Sequence, residues 1–153
     1  MILSAIYQPQ NQFCIAVDAN SDEKFWRIIT ELARCYPNIQ TFRAKKIEWC
    51  SFEIIEAIFE CVVRLSNSTV QWKYIQILSG VDAPLKTNLE MVRIFKALNG
   101  SFNTEVLPFK LSRLQGKRVE NSPLPPFKSS LSAVFSREAA DFMSNNEVRF
   151  TAR

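Results

Sequence analysis

The sequence predicts a single α/β domain in which a mostly parallel β-sheet carries helices on both faces. Strand-like and helical segments alternate along the chain, and this alternation is typical of a parallel sheet. The 153 residues are enough for one domain with a core, and 47% of them are apolar, which argues against disorder. Ligands of such folds bind beyond the carboxyl ends of the strands, so acidic residues at those ends are the first candidates for a site.

The first strand and helix lie close together in the sequence. The apolar run Phe13–Asp18 predicts a short buried strand that ends in an acid. Asn20 is expected to cap the helix over residues 23–36, with Glu23 completing a capping box. The apolar face of this helix consists of Phe25, Ile28, Ile29, Leu32 and Cys35. A short second strand is expected at residues 39–42.

The middle of the chain repeats this order. Ser51 is expected to open a helix that ends near residues 66–67, and residues 70–78 predict the third strand. A turn over residues 80–86 leads to the next helix, which begins with a capping box at Thr87 and Glu90 and ends at Asn99. The expected buried side of that helix consists of Met91, Ile94, Phe95 and Leu98.

Residues 101–128 are basic and rich in proline, which predicts a long connection, and a connection of this length is usually either functional or disordered. A last strand at 131–135 and a short helix at 138–143 follow it. Asp18 and Asp82 both fall where predicted strands end. Each acid either lines a ligand site or serves its own turn, and the residues alone leave both interpretations open.

Charge and histidine content limit the chemistry. The net charge of +4 allows contact with phosphates or sugars but does not require a nucleic acid partner. The absence of histidine excludes a Ser–His or Cys–His catalytic pair and disfavours a zinc site. The sequence shows no signal-peptide pattern and no apolar run long enough to span a membrane.

Four cysteines lie at positions 14, 35, 50 and 61, and no two have the CxxC spacing of a zinc or redox motif. Their pairing is not fixed by the sequence. Two glycosylation sequons are present, at Asn67 and Asn99. Sequons are frequent by chance, so by themselves they are weak evidence for secretion.

Four blocks together carry a family resemblance: AIYQPQNQFCIAVD, WCSFEIIEAIFEC, QWKYIQILSGVDAPLKTNLEMV and FSREAADF. They resemble the core-2/I-branching β-1,6-N-acetylglucosaminyltransferases of glycosyltransferase family 14, from about Ser4 to Met143. Xylosyltransferases share the SGxDxPLK element but fit the YQPQN block less well.

The resemblance implies a GT-A-type, Rossmann-like fold in Golgi type II membrane proteins that take part in O-glycan branching. Such enzymes transfer N-acetylglucosamine from UDP-N-acetylglucosamine to O-6 of galactose or N-acetylgalactosamine, with inversion and without a metal. The chain contains no Asp-x-Asp metal motif. Residues 4–100 would form the nucleotide-binding part, 101–128 an acceptor-side loop and 129–153 the start of a second part.

The resemblance also implies roles for individual residues. Asp18 matches an acid at the uridine, Trp49 matches an aromatic residue against the nucleotide, and Asp82 is a candidate for the donor site. A carboxylate accepts hydrogen bonds from ribose or uracil, and an aromatic ring offers a flat face to a base. Asp18 as a turn acid and Trp49 as a core aromatic are the alternative interpretations.

On the acceptor side, Lys110 and Arg113 match a basic pair that contacts the acceptor sugar. Either Glu105 or Asn103 takes the position of an acceptor-binding glutamate. A solvated basic loop is the alternative for Lys110 and Arg113.

The resemblance pairs Cys14 with Cys61 in a disulfide. It assigns Cys35 a partner upstream of this chain, whereas Cys50 has no counterpart.

The chain departs from the family pattern at both ends. Family members begin with an apolar strand before the YQPQN block and extend beyond the position of Arg153 to a glutamate that deprotonates the acceptor hydroxyl. They also supply basic residues that neutralise the leaving diphosphate. We therefore expect residues 1–153 to form a partial domain with no catalytic residue. Little transferase activity is expected, because general base catalysis contributes roughly 100- to 10,000-fold.

Two alternatives to an enzyme remain: an inactive sugar-nucleotide-binding remnant, and a basic interaction module that uses residues 109–118. The expected partners are a UDP-sugar and a glycan acceptor. Contact with the Golgi membrane would occur only through an anchor that these 153 residues do not contain.

Overall fold

A computed structural model describes residues 2–110, 112 and 125–145, which form five helices and six strands. The helices are Ile2–Ile6 (α1), Glu23–Cys35 (α2), Glu53–Ser66 (α3), Asn88–Leu98 (α4) and Arg137–Asn145 (α5). The strands are Phe13–Val17 (β1), Ile39–Arg43 (β2), Tyr74–Gln76 (β3), Leu107–Pro108 (β4), Phe127–Lys128 (β5) and Val134–Ser136 (β6).

The α/β class is confirmed, but the sheet differs from the prediction. Only β1 and β2 are parallel, with Phe13 opposite Ile39, and α2 makes the crossover between them. β3 pairs with β6 and β4 pairs with β5, both antiparallel. The prediction of a mostly parallel sheet was therefore wrong for β3, β4, β5 and β6. The direction of β6 relative to β3 is set by strand pairing between residues about 60 positions apart, which local sequence patterns do not reveal.

The third strand is also shorter than predicted. The run 70–78 has strand character throughout, yet only Tyr74–Gln76 form a strand. Strand hydrogen bonds need a partner, and β6 lies alongside these three residues alone. The last strand is likewise Val134–Ser136 instead of 131–135.

The helix starts show one confirmed cap and two corrections. Thr87 and Glu90 form the expected capping box at the start of α4. The cap of α2 is Asp22, whose carboxylate accepts the N–H groups of Lys24 and Phe25 at 2.7 and 3.2 Å. The expected cap, Asn20, is therefore wrong. Asn20 lies in the loop before α2, where its backbone N–H donates to Asp18.

At α3 the expected opening residue, Ser51, lies outside the helix. Its hydroxyl accepts the N–H of Glu48 at 3.2 Å and serves the preceding turn. The N-cap of α3 is Phe52, which makes no side-chain cap hydrogen bond.

The main hydrophobic core lies between α3, α5, β3 and β6. Its buried members are Val62, Leu65, Ile75, Ala133, Phe135 and Ala140. A disulfide between Cys14 of β1 and Cys61 of α3 ties the parallel strand pair to this core, with the two Cα atoms 5.6 Å apart. The disulfide implied by the family resemblance is thus present.

Helix α4 does not bury the side that its pattern predicted. None of its residues is buried, and Ile94 is exposed. Phe95 stacks on Tyr74 with ring centroids 5.5 Å apart. Met91, Phe95 and Leu98 are half-buried, so the described residues cover the predicted side of α4 only in part. None of the helices among them is long and apolar enough to cross a membrane.

Candidate functional site

The carboxyl ends of β1 and β2 lie at the same edge because the strands are parallel. The loop at residues 18–22 leaves β1 there, and the loop at residues 44–52 leaves β2. The N–H of Ala44 donates to the carbonyl of Val17 at 2.8 Å, so the two loops start side by side. We call these two loops the carboxyl-edge site.

Asp18 joins the two loops through its side chain. Its Oδ1 accepts the N–H of Asn20 at 2.8 Å and that of Ile47 at 3.3 Å. Among the described residues, no donor reaches the second carboxylate oxygen. The half-buried Asp18 thus performs the turn role that the sequence left open. It also retains an acceptor for a ligand hydroxyl or imide.

Arg43, the last residue of β2, holds the first loop from the other side. Its Nη2 donates to the carbonyl oxygens of Ala19 and Ser21, each at 3.0 Å, and Nη1 pairs with Glu23. The guanidinium carbon lies 5.8 Å from the ring centroid of Trp26. Sequence analysis missed this residue, because only the strand pairing brings it next to a loop more than 20 positions away.

Trp49 is 94% exposed, so its interpretation as a core aromatic was wrong. It lies in a turn in which the N–H of Ser51 donates to the carbonyl of Glu48 at 3.1 Å. Cys50, the next turn residue, has a φ of 61°, which is unusual for a residue other than glycine. Trp49 follows Ile47, the partner of Asp18, by two positions. The indole is therefore a free flat surface on the loop that Asp18 holds.

A depression of about 190 Å³ adjoins this edge, between the end of β2 and α3. Lys45 and Glu56 pair across it at 2.6 Å, and this hydrogen bond raises the pKa of Lys45. The hydroxyl of Ser51 lowers the pKa of Glu53. Lys45 and Glu56 are paired with each other, so they fix the second loop on α3.

The other predicted donor residue, Asp82, lies elsewhere. Its Oδ2 accepts the N–H of Ser79 at 2.6 Å in the turn after β3. This hydrogen bond realises the turn role that was left open for Asp82. No hydrogen bond or ion pair in the described part of the chain links it to Asp18, so its place in the donor site stays a prediction.

The acceptor-side candidates lie around β4. Asn103 exchanges backbone hydrogen bonds with Val134, whereas Glu105 and Lys110 flank β4 with exposed side chains. Neither of these two makes a hydrogen bond or ion pair with another described residue. Arg113 lies outside the described residues. No hydrogen bond or ion pair in the described part of the chain links Asn103, Glu105 or Lys110 to the carboxyl-edge site, so the acceptor roles stay predictions.

Residues 2–110, 112 and 125–145 contain no group of three or more His, Cys, Asp or Glu side chains that could hold a metal ion. Asp18 offers a hydrogen-bond acceptor, and it is bonded to the loop that carries the exposed ring of Trp49.

Comparison with known proteins identifies the class that this fold and site define. The sequence model of the core-2/I-branching enzymes matches residues 1–149. The chain therefore belongs to the core-2/I-branching enzyme family, and the resemblance seen in its sequence is confirmed.

Individual relatives narrow the class. A human β-1,3-galactosyl-O-glycosyl-glycoprotein β-1,6-N-acetylglucosaminyltransferase is 33% identical over 95% of this chain, and the bovine protein of the same name is 34% identical. A rat protein of this name with the number 3 is 38% identical over 70% of the chain. The match covers 39% of the length of the human and bovine relatives and 25% of the rat protein. By resemblance the chain is thus of the glycosyltransferase type.

Proposed function

We propose that this chain supplies the donor-nucleotide-binding part of a β-1,6-N-acetylglucosaminyltransferase of O-glycan branching. The donor would be UDP-N-acetylglucosamine and the acceptor O-6 of a galactose or N-acetylgalactosamine. The transfer would invert the anomeric centre and need no metal, within the Golgi. Family membership and the names of the relatives support this reaction class.

One observation carries the proposal: the carboxyl-edge site combines a structurally fixed carboxylate with a free indole. Asp18 accepts two loop N–H groups through Oδ1, so its position is set before any ligand binds. A preorganised acceptor loses less free energy on binding than a mobile one. Trp49 is exposed on the loop that Asp18 holds, where a uracil ring would stack on it.

The role proposed for these residues is binding and orientation. Asp18 would accept from a ribose hydroxyl or the uracil imide, and Trp49 would cover one face of the base. Glu105 or Asn103, with Lys110 and Arg113, would contact the acceptor sugar. We assign no catalytic base within the 153 residues, so proton abstraction from the acceptor is not attributed to this chain.

Calorimetric titration of UDP into the 153-residue chain tests the proposal. Saturable heat is expected at millimolar UDP or below, and Asp18→Ala should abolish it. Asp18→Asn is the matched control because its amide oxygen keeps the bonds to Asn20 and Ile47 while the charge is lost. A folded wild-type chain that gives no heat at millimolar UDP would contradict the proposal.

Three further measurements refine the proposal. Equal UDP affinity with manganese and with a chelator is the expected sign of metal-independent binding. A turnover assay with UDP-N-acetylglucosamine separates an active transferase from a binding remnant, since both predict UDP binding. Salt dependence identifies the basic-module alternative, whose binding to an acidic partner would weaken steeply with salt.

A further inference from the structure

Two sequons remain outside the proposed function, and the structure places both on the surface. Asn67 is the C-cap residue of α3 and Asn99 the C-cap residue of α4, and both are exposed. Neither side-chain amide makes a hydrogen bond with another described residue. Both amide nitrogens are therefore accessible in the folded chain.

The path of α3 shows which edge Asn67 occupies. Near its start, Glu56 pairs with Lys45, just beyond the carboxyl end of β2. Further along, Cys61 is bonded to Cys14, the second residue of β1. The helix thus runs from the carboxyl edge of the strands towards their amino edge. Asn67 lies six residues past Cys61, about 9 Å further in the same direction.

Asn99 lies near the amino end of β3. The N–H of Gly100 donates to the hydroxyl of Tyr74, the first residue of β3, at 2.5 Å. Trp72, two positions before Tyr74, donates to the carbonyl of Leu65 at the end of α3. Both sequons therefore adjoin the start of β3, whereas Asp82 follows its other end.

The disulfide supplies an independent link to glycosylation. A bond between Cys14 and Cys61 forms and persists in an oxidising compartment such as the lumen of the secretory pathway. Sequons are modified in that same compartment.

We propose that Asn67 and Asn99 both carry N-linked glycans, placed away from the carboxyl-edge site so that it stays open. The glycan would come from a lipid-linked oligosaccharide diphosphate. A bond forms between the side-chain amide nitrogen and the anomeric carbon of the first sugar. The bond from that carbon to the lipid diphosphate oxygen breaks, the amide loses one proton, and no oxidation or reduction occurs.

Secretory expression tests the attachment sites. The full chain is expressed behind a cleavable leader in eukaryotic cells, and its gel mobility is compared before and after peptide N-glycosidase treatment. Two glycans are expected on the wild type, and one each on Thr69→Ala and Ser101→Ala. Thr69→Ser and Ser101→Thr are the matched controls and should retain both. A secreted chain without an enzyme-sensitive shift would overturn the proposal.

The second part of the proposal, that the site stays open, rests on the proposed UDP binding. Removal of the two glycans should leave UDP affinity unchanged. Asp22→Ser changes residues 20–22 to Asn-Ser-Ser and so creates a sequon at Asn20, whose N–H is bonded to Asp18 in the site. Serine also caps helices well, so the start of α2 is kept. A glycan there should weaken UDP binding by at least about tenfold until it is removed.

The outcomes separate the two proposals. If removal of the native glycans raised UDP affinity by about tenfold, their placement away from the site would be wrong. If no form bound UDP, the proposed function would fail, while the mobility experiment would still decide whether Asn67 and Asn99 are glycosylated.

Discussion

At the scale of single residues, the candidate site depends on side chains that have a structural task and a free functional group. Asp18 uses Oδ1 to hold the loops at Asn20 and Ile47 and leaves its second oxygen unused by the described residues. Trp49 contributes almost nothing to the core because its ring is exposed. Substitutions at these two residues should therefore affect binding and stability to different extents.

Trp49→Ala is expected to lower UDP affinity without changing the free energy of unfolding. Loss of base stacking costs about 1–3 kcal/mol, whereas removal of an exposed ring costs little core packing. Titration of UDP and urea unfolding measure the two quantities. Trp49→Tyr is the control and should bind nearly as well as the wild type. Equal UDP affinity for Trp49→Ala would exclude the indole from the site.

Asn38 is a buried polar residue whose role only the structure shows. Its amide nitrogen donates to the carbonyl of Asn11 at 2.8 Å, and its Oδ1 accepts from the Tyr7 hydroxyl at 3.2 Å. This side chain thus holds the YQPQN segment against the start of β2.

Asn38→Asp should lower the free energy of unfolding by about 1–3 kcal/mol, because a carboxylate of the same shape cannot donate to the Asn11 carbonyl. Urea denaturation measures the change. Asn20→Asp, at an exposed loop position, serves as the matched control. An Asn38→Asp chain as stable as the wild type would show that this amide bond contributes little.

At the scale of elements, local capping determines where α4 begins, and tertiary packing covers this helix only in part. Thr87 accepts the N–H of Glu90, and the Glu90 carboxylate accepts the N–H of Thr87 at 2.8 Å. Asn99 closes the other end in the left-handed conformation, followed by Gly100 with a φ of 87°. A helix with few buried contacts depends strongly on such end interactions.

The capping box makes the stability of the chain depend on pH. The backbone N–H of Thr87, and then its hydroxyl, lower the pKa of Glu90 below its ordinary value of 4.5. The contribution is therefore fully present above about pH 4.5 and is lost as the pH falls through the lower pKa of the folded state.

Glu90→Gln should be less stable than the wild type near neutral pH, and the difference should disappear in acid. Urea denaturation from pH 7 to pH 3 measures it. Glu105→Gln, at an exposed carboxylate without a described partner, is the control and should show no such trend. A Glu90→Gln difference that is constant with pH would contradict this account.

At the scale of the whole molecule, two structural units pack together where α3 lies against β1. The β1–β2 pair with α2 is one unit, and the core of α3, β3, β6 and α5 is the other. The Cys14–Cys61 disulfide crosses between them. Within the second unit, Arg137 pairs with Asp141, donates to the carbonyl of Ser66 and lies over the ring of Trp72.

Loss of the disulfide should destabilise the whole chain. Its cysteines are 47 positions apart, and a loop of that size corresponds to about 4 kcal/mol on the chain-entropy model. The double change Cys14→Ala with Cys61→Ala should lower the free energy of unfolding by that order. Cys35→Ala, which removes an exposed free thiol, is the control. If the double change shifted stability no more than this control, the bridge would not support the fold.

The sequence by itself determined the features that depend on neighbours along the chain. The bounds of α2, the capping box at Thr87 and the stop at Asn99 were predicted because their hydrogen bonds span only a few residues. The Cys14–Cys61 bridge was predicted by family resemblance, since spacing alone does not fix pairing.

Tertiary structure decided the features that join distant residues. The antiparallel pairing of β6 with β3 and the hydrogen bond from Arg43 to Ala19 join residues more than 20 positions apart. The exposure of Trp49 depends on which residues pack over that surface. Local periodicity carries no information about such partners. The candidate residues Asp18 and Trp49 were thus visible in the sequence, whereas the side-by-side arrangement of their loops and the exposure of the indole were decided by the tertiary structure.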